Sequence, residues 1–440
     1  MKPIYHLIVF CLVLGMFNPN STVAQSDLGQ RSTLYFTYGR SGAVLREFNE
    51  LLADRNRGPL TNGYSNFGLG YQNRFNDFIV GVEIFQNSGR SYDYDQYRID
   101  YRTSRLLLNI GYSFTEEGRF QLIHYMSVGA GFINFEMMKD ANNQSMVDFL
   151  QNPAQGYILR KRNIHKGSQF YGGFLTEIGF QMGYDIYVPG MEESIALMAK
   201  FGYSFSPFER AWDINGVSFD NLQSGAFLRV GAGISLPDHN FFYKDATIGV
   251  HLTYSLHYTR PEQLNSFLES YGYAPFIGRP NNWGLKVLGN SKQMLYGLDI
   301  FNVAHRGNAR FNYEHTLNSI RFYGNYGLKF FQRKNLELGA LGGLGYGNLR
   351  YSLLAINKLN FPELMDDPDF DGYLRTGGLM FKPEAFIGYA MPLSKKNNLS
   401  LVYSVHAGYE FPIGNYTLAD LNMSKFMAGP YLQFGLGIRP

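Results

Sequence analysis

One all-β unit occurs twice in this chain, and that duplication constrains the fold more than any other feature. From Thr37 to Gly131 the sequence aligns without a gap against itself 216 residues downstream. Thr37-Tyr38 returns as Thr253-Tyr254, Asn49 as Asn265, and Asn66, Gly68 and Leu69 as Asn282, Gly284 and Leu285. Gly81, Ile84 and Phe85 return as Gly297, Ile300 and Phe301, and Arg105, Asn109, Gly111 and Phe114 as Arg321, Asn325, Gly327 and Phe330. Gly129 and Gly131 return as Gly345 and Gly347, and, at a changed spacing, Phe227–Ile234 matches Tyr431–Ile438. A period near 200 residues is far too long for a solenoid (roughly 20–50) and marks a duplicated module. The copies cover roughly 27–238 and 246–440, which puts the repeat units at 25–240 and 241–440.

Each copy is built from alternating strands. Leu106, Leu108, Ile110, Tyr112 and Phe114 share one face, while Arg105, Asn109, Gly111 and Ser113 share the other with Leu107 as an apolar exception. Ile195–Phe205 and Leu399–Tyr409 alternate in the same way. Such runs of about 10–11 residues match a tilted strand crossing hydrocarbon, and Tyr and Phe gather near their ends as in interfacial girdles. Eight strands are expected per copy: near 32–38, 63–73, 77–86, 101–115, 119–135, 168–187, 194–206 and 224–236, then 246–258, 281–288, 294–301, 318–330, 335–351, 376–392, 398–411 and 426–438. Their connections alternate short (74–76, 116–118, 188–193, 289–292, 332–334, 393–397) with long (39–62, 87–100, 136–167, 207–223, 259–280, 302–317, 352–375, 412–425). Short turns on one side and long loops on the other is the layout of a transmembrane barrel with both ends in the periplasm.

The start of the chain reads as a secretory leader, residues 1–24, with Lys2, an apolar stretch at Ile8–Phe17 and a small-residue cleavage site at Thr22-Val23-Ala24. Cys11, the only cysteine, lies inside it, so neither disulfides nor thiolate metal sites are expected beyond it. Charged residues are 17% of the chain, against about 25% in soluble domains. Aromatic residues are 16%, and mean hydropathy is only −0.21. A chain weakly polar on average, rich in Tyr, Phe and Gly and free of long apolar runs suits strands that show lipid one side chain in two. The formal charge of +3 argues for no nucleic-acid partner.

Two segments break the strand pattern at the same place in each copy. Ala43–Ala53 carries a helical stripe of Val44, Leu45, Phe48, Leu51 and Leu52. Pro261–Ser270 begins on a helix-start proline and carries Leu264, Phe267 and Leu268. Each stripe must bury itself by capping the barrel mouth, plugging the lumen or resting at the membrane interface.

Inward charges are Arg105, Glu177, Lys200 and Arg229 in the first copy and Arg321, Glu384 and Glu410 in the second. They form a salt-bridged interior or, on a sharper reading, a surface that selects solutes. The strand glycines mark tight curvature and open no helix, so a phosphate-loop reading fails. Asp367, Asp369 and Asp371 have the Asp-x-Asp-x-Asp-Gly spacing of a calcium loop, but Gly378 stands where the bidentate Glu belongs. His124, His251, His257 and His406 fall in strands, where a hydrogen-bonded structural histidine is the expected role. No His-Glu-x-x-His or Gly-x-Ser-x-Gly stretch is present; no enzyme and no cofactor is expected.

Segments such as LLLNIGYSF, MSVGAGFINF and YLQFGLGIRP resemble strands of Gram-negative outer-membrane β-barrel proteins, and one copy is similar in size and strand count to the small eight-stranded members. The resemblance implies an all-β, transmembrane antiparallel up-and-down barrel in the outer membrane, in contact with outer-membrane lipid and lipopolysaccharide. One barrel of 16 strands is favoured because the copies are joined by only about eight residues, Pro237–Lys244. Two eight-stranded barrels in tandem are the alternative, suggested by apolar inward residues Ile123, Tyr125, Leu175, Met198 and Phe227. The expected function is a passive pore or solute-uptake channel; the alternative is a non-transporting surface or assembly scaffold whose outer loops bind a partner.

Overall fold

A computed structural model describes residues 30–439 apart from 61–62, 76, 91–96, 116–118, 140–143, 160–172, 188–193, 208–212, 215–216, 219–222, 238–245, 260, 278–279, 292, 308–310, 334, 357–360 and 393–399. The expected leader and the segment joining the copies lie outside the described residues. The first copy contains β1 (Gln30–Ser41), β2 (Tyr64–Phe75), β3 (Phe78–Arg90), β4 (Tyr97–Ser113), β5 (Phe120–Lys139), β6 (Gly156–Ile158), β7 (Phe174–Tyr187), β8 (Ser194–Phe205), β9 (Asp213–Ile214), β10 (Val217–Ser218) and β11 (Gly225–Pro237). The second contains β12 (Ala246–His257), β13 (Asn281–Ser291), β14 (Met294–Arg306), β15 (Tyr313–Arg333), β16 (Leu336–Ala355), β17 (Gly372–Pro392), β18 (Ser400–Ile413), β19 (Thr417–Leu418), β20 (Leu421–Asn422) and β21 (Gly429–Arg439). The described helices are α1 (Arg46–Ala53), α2 (Met146–Gln151), α3 (Glu262–Ser270), α4 (Phe361–Asp366) and α5 (Ser424–Met427). All sixteen strands read from the alternation are present.

Their closure differs from the favoured reading. β11 pairs back onto β1 of its own copy, Thr33 opposite Ser235, and β4 pairs β5, so the first copy closes as an eight-stranded barrel. β21 likewise pairs β12, Thr253 opposite Gly435, closing the second. The single 16-stranded barrel is therefore replaced by its alternative, two eight-stranded barrels in tandem. The physical reason lies in the inward side chains. Ile79, Ile123, Tyr125 and Phe227 form one buried cluster in the first barrel, and Leu288, Leu295, Leu341 and Phe386 form one in the second. Only a lumen narrow enough for facing walls to touch buries such residues; eight strands supply that width.

The barrels share one register. Thr37 opposes Gly68 as Thr253 opposes Gly284, and Arg105 opposes Gly131 as Arg321 opposes Gly347. Retained glycines allow the tight curvature: a Cβ on Gly129 would stand 1.9 Å from the Leu106 carbonyl oxygen, and one on Gly345 1.9 Å from that of Phe322. Outside, the strands present a continuous apolar belt, with Leu106, Leu108 and Ile110 on β4 and Leu34, Phe36 and Tyr38 on β1 exposed while Thr33, Tyr35 and Thr37 are buried. In water such a belt would far exceed the few hundred Å² that soluble monomers tolerate; against acyl chains it is the favoured surface.

A Thr33→Cys/Ser235→Cys variant tests the closure, since the two side-chain oxygens lie 3.2 Å apart across β1 and β11. A disulfide should form and shift gel mobility; in a 16-stranded barrel these positions would stand far apart and the chain would stay uncrosslinked.

Candidate functional site: charge-filled lumens under exchanged loops

The inward phase of the first barrel converges on two carboxylates. Glu83 on β3 receives Lys200 Nζ at 2.6 Å from β8 and Arg229 Nη1 at 3.2 Å from β11. Arg229 also pairs Glu177 on β7, and Glu177 meets Arg105 of β4 at 3.5 Å. Arg105 donates further to Ser204 Oγ at 2.8 Å and Gln223 Oε1 at 3.0 Å. Aromatic faces cover the cations: Arg229 lies 4.3 Å from the Phe85 ring centre and 4.2 Å from that of Phe227, and Lys200 lies 4.6 Å from that of Tyr35. All of these charges are buried. The network joins side chains from five strands of the wall, β3, β4, β7, β8 and β11, across the lumen.

The second barrel solves the same problem with other residues. Asp299, the repeat partner of Glu83, meets Lys286 at 3.3 Å and also Lys382. Glu384 meets Lys286 at 2.7 Å, Lys382 at 3.2 Å and His406 Nδ1 at 3.1 Å. Arg321, the partner of Arg105, pairs Glu410, which His257 Nδ1 also approaches at 3.1 Å. In register, Ser127 opposes Glu177 and its repeat partner Gly343 opposes Lys382, so the sign at that wall position is reversed between copies. Glu410 and Glu384 compensate on β18 and β17. A charge reversal inside a narrow lumen survives only with a counter-change nearby, because an unpaired buried ion is too costly.

Arg105, Glu177, Lys200 and Arg229 thus lie together in one lumen, and Arg321, Glu384 and Glu410 in the other. The residues missed by the sequence reading are Glu83, Asp299, Lys286 and Lys382. The first two were findable, since both occupy the inward phase between repeat-matched residues, Gly81 and Phe85 or Gly297 and Phe301.

Helices α1 and α3 cap the long-loop ends. Their stripes turn inward, burying Phe48 and Leu52 over the first barrel and Leu264 and Leu268 over the second. Asn49 clamps the following loop by donating to the Leu60 carbonyl at 3.2 Å and accepting from the Leu60 N–H at 2.9 Å. Asn265 does the same to Phe276 at 3.0 and 2.9 Å. The side-chain amide supplies a donor and an acceptor to a loop backbone that has no ladder, which accounts for its presence in both copies.

Each mouth is completed by the other copy. Helix α2, from the loop after β5, buries Met146, Phe149 and Leu150 in the apolar cluster of the second barrel, where the Phe149 and Tyr351 ring centres are 5.9 Å apart. Helix α4, from the equivalent loop after β16, buries Met365 in the cluster of the first barrel. The grips correspond as well: Tyr273 Oη donates to the Leu150 carbonyl at 3.1 Å, and its repeat partner Arg57 donates to the Asp366 carbonyl at 3.3 Å. Between the loops Gly156 pairs antiparallel with Asp371, the Gln155 N–H donating to the Asp371 carbonyl at 2.9 Å. The Asp371 N–H donates in turn to the Gly156 carbonyl at 2.6 Å, so the loops of the two copies are joined backbone to backbone. A capping box at Ser145-Met-Val-Asp148 was the available sequence signal for α2.

The calcium-like triad sits in this seam. Asp369 accepts from Tyr97 Oη at 2.6 Å and pairs Lys139, while Asp371 accepts from the Ile158 N–H and the Ala355 N–H, each at 2.9 Å. Asp367 is exposed. The Asp369 and Asp371 carboxylates bind the two copies together, and among the described residues no group of three His, Cys, Asp or Glu is placed to hold a metal ion.

No protein-family model matches the chain, and no curated protein matches its sequence. Among solved structures it is similar to the toluene transporter TodX of Pseudomonas putida, at 12% identity over 93% of this chain and 89% of that one, with a TM-score of 0.22. A FadL homologue of Pseudomonas aeruginosa gives 10% identity over 93% and 89%, TM-score 0.22, and OmpT of Vibrio cholerae 9% over 95% and 99%, TM-score 0.16. At such scores the likeness carries no information on what this chain does. The architecture itself is that of an outer-membrane β-barrel protein, built twice in one chain.

Glu83→Gln should leave Lys200 and Arg229 short of a buried counter-charge and destabilise the first barrel by about 3–5 kcal/mol, read as a lowered midpoint in urea titrations followed by heat-modifiable gel mobility. Glu50→Gln, which breaks only an exposed pair with Arg46, should stay within about 0.5 kcal/mol of wild type. Asp371→Ala frees two buried N–H groups at the seam; limited proteolysis should then cut the loops after β5 and β16 while both barrels keep their folded mobility.

Proposed function

We propose that the chain is a sealed double barrel of the outer membrane, exported by its leader, that acts as a rigid scaffold presenting its long-loop face to a protein partner. One observation carries this reading: each lumen is crossed by a buried layer of ion pairs and then roofed by its own helix and by a helix from the other copy. A passive conduit needs a continuous wet path, and these layers would have to break their ion pairs to give one, at a cost of several kcal/mol. The exchanged loops couple the barrels into one platform, and partner-binding residues reside disproportionately on loops held by such rigid frames. Contacts with acyl chains and lipopolysaccharide follow from the apolar belt.

The solute-uptake reading rests on a different observation, that every roof element is a loop rather than a barrel strand and so is separable from the wall. Planar-bilayer recordings distinguish the two. The purified chain should show no steady unitary current; stable open-channel steps in the wild type would overturn the scaffold reading. Deleting 46–53 should leave the membrane silent as well, because the ion-pair layer lies beneath the helix.

A further inference from the structure

The roof of the second barrel encloses two histidines that the first barrel lacks. His305 on β14 and His315 on β15 are both buried, and the first copy carries Gly89 and Ile99 at the matching repeat positions. Both stand above the lipid-facing belt. Leu298 and Ile300 on β14 and Ile320 and Phe322 on β15 are exposed and apolar, whereas Asn302, Arg306 and Glu314 are the exposed residues nearer the mouth. Neither ring nitrogen of His315 has a hydrogen-bond partner among the described residues. Its ring lies instead among aromatic faces, with ring centres 4.5 Å from Phe276, 6.2 Å from Tyr351 and 6.5 Å from Tyr273. His305 meets Thr259 Oγ1 through Nε2 at 2.9 Å, and its ring centre lies 5.6 Å from that of Phe426 and 6.1 Å from that of Phe276.

These neighbours hold the roof in place. Phe276 is clamped by Asn265 of α3, Tyr273 grips Leu150 of α2, Tyr351 packs on Phe149 of α2, and Phe426 belongs to α5. Few titratable or charged groups face the two imidazoles. Tyr273 and Tyr351 are neutral phenols, and Arg321, further along β15, adds positive charge on the His305 side. Glu410, the carboxylate of that layer, is already taken by Arg321, Tyr323 and His257. The charged residues of the packed helices, Asp148 on α2, Glu262 and Glu269 on α3 and Lys425 on α5, are exposed. Burial, reinforced by Arg321, pushes His305 down to about 4, and burial alone pushes His315 down to about 4. Ring faces return only part of the hydration that a buried imidazolium gives up.

We propose that His305 and His315 form a proton-operated latch, which holds the second roof shut when both are neutral and releases α3 and the inserted α2 when they are protonated. The sign follows from burial. Above about pH 6.5 a histidine is neutral whether the roof is open or shut, and the shut roof has its full stability. Below that value an open roof takes up protons that the shut one refuses, so opening gains up to about tenfold per pH unit for each ring. The gain ends near 4, where the shut roof itself takes up protons. Release bares the apolar mouth of the second barrel and detaches it from α2 of the first, while the ion-pair layer beneath still spans the lumen. The first roof, with Gly89 and Ile99 in these places, stays shut. The latch concerns the roof alone and stands whether or not the loop face meets a protein partner.

Hydrogen–deuterium exchange read by mass spectrometry tests this on the full chain in non-ionic detergent, at about pH 7.5 and about pH 5, with rates corrected for the chemical effect of pH. Peptides covering α2, and α3 with the loop after it, should lose protection at least about tenfold at the lower pH relative to those covering α1 and α4, which roof the first barrel. His305→Gln/His315→Ile, which gives position 315 the first copy's residue, should abolish the difference. His315→Phe, closer in shape, leaves one of the two rings and should cut the steepness by about half. Heat-modifiable mobility verifies that each variant barrel is folded. Equal loss of protection in both roofs, loss in neither, or a difference that persists unchanged in the folded variants overturns the proposal.

Discussion

Backbone hydrogen bonding governs everything else in this molecule. A strand in hydrocarbon has no water to satisfy its N–H and C=O groups, so each sheet must return to its own first strand. Once β11 meets β1 and β21 meets β12, the number of strands sets the width of the lumen, and the width sets which inward residues are tolerable. Two closed eights and one closed sixteen satisfy the backbone equally well. The side chains decide between them: Tyr125 and Phe227 find apolar neighbours, and Arg229 finds Glu83 and Glu177, only across a narrow lumen.

Duplication then lets the two interiors diverge under one constraint. The register is common to both copies, so positions correspond wall by wall, and the charges at them do not. Lys382 stands where Glu177 would be, and Glu410 supplies the missing negative charge beside Arg321. The copies agree where geometry allows one solution, as in the Asn49 and Asn265 loop clamps. They disagree where electrostatics allows several, because a buried ion pair needs a partner but no particular strand to carry it.

The exchange of α2 and α4 makes two barrels one body. Each barrel alone would leave an apolar mouth half covered, with Tyr351 or Tyr97 facing water. Reciprocal insertion buries both mouths at once, and the backbone pairing of Gly156 with Asp371 joins the two loops. This contact lies at the long-loop end, away from the lipid-facing belts, so the barrels join without giving up their apolar exteriors.

Much of this was legible in the residues themselves. Period-two alternation located all sixteen strands, because lipid outside and side chains inside impose opposite polarities on neighbouring positions; the stripes of Ala43–Ala53 and Pro261–Ser270 located α1 and α3 for the same reason. The inward phase also identified Arg105, Lys200, Arg229 and Arg321 as interior groups. What it did not contain was pairing over long distance. Closure of β1 on β11 rather than β21, the meeting of Glu83 with Lys200, and the passage of α2 into the other copy all depend on which distant segments become neighbours. Local periodicity reports which face a residue lies on, whereas its partner on that face is settled only when the whole sheet curls shut.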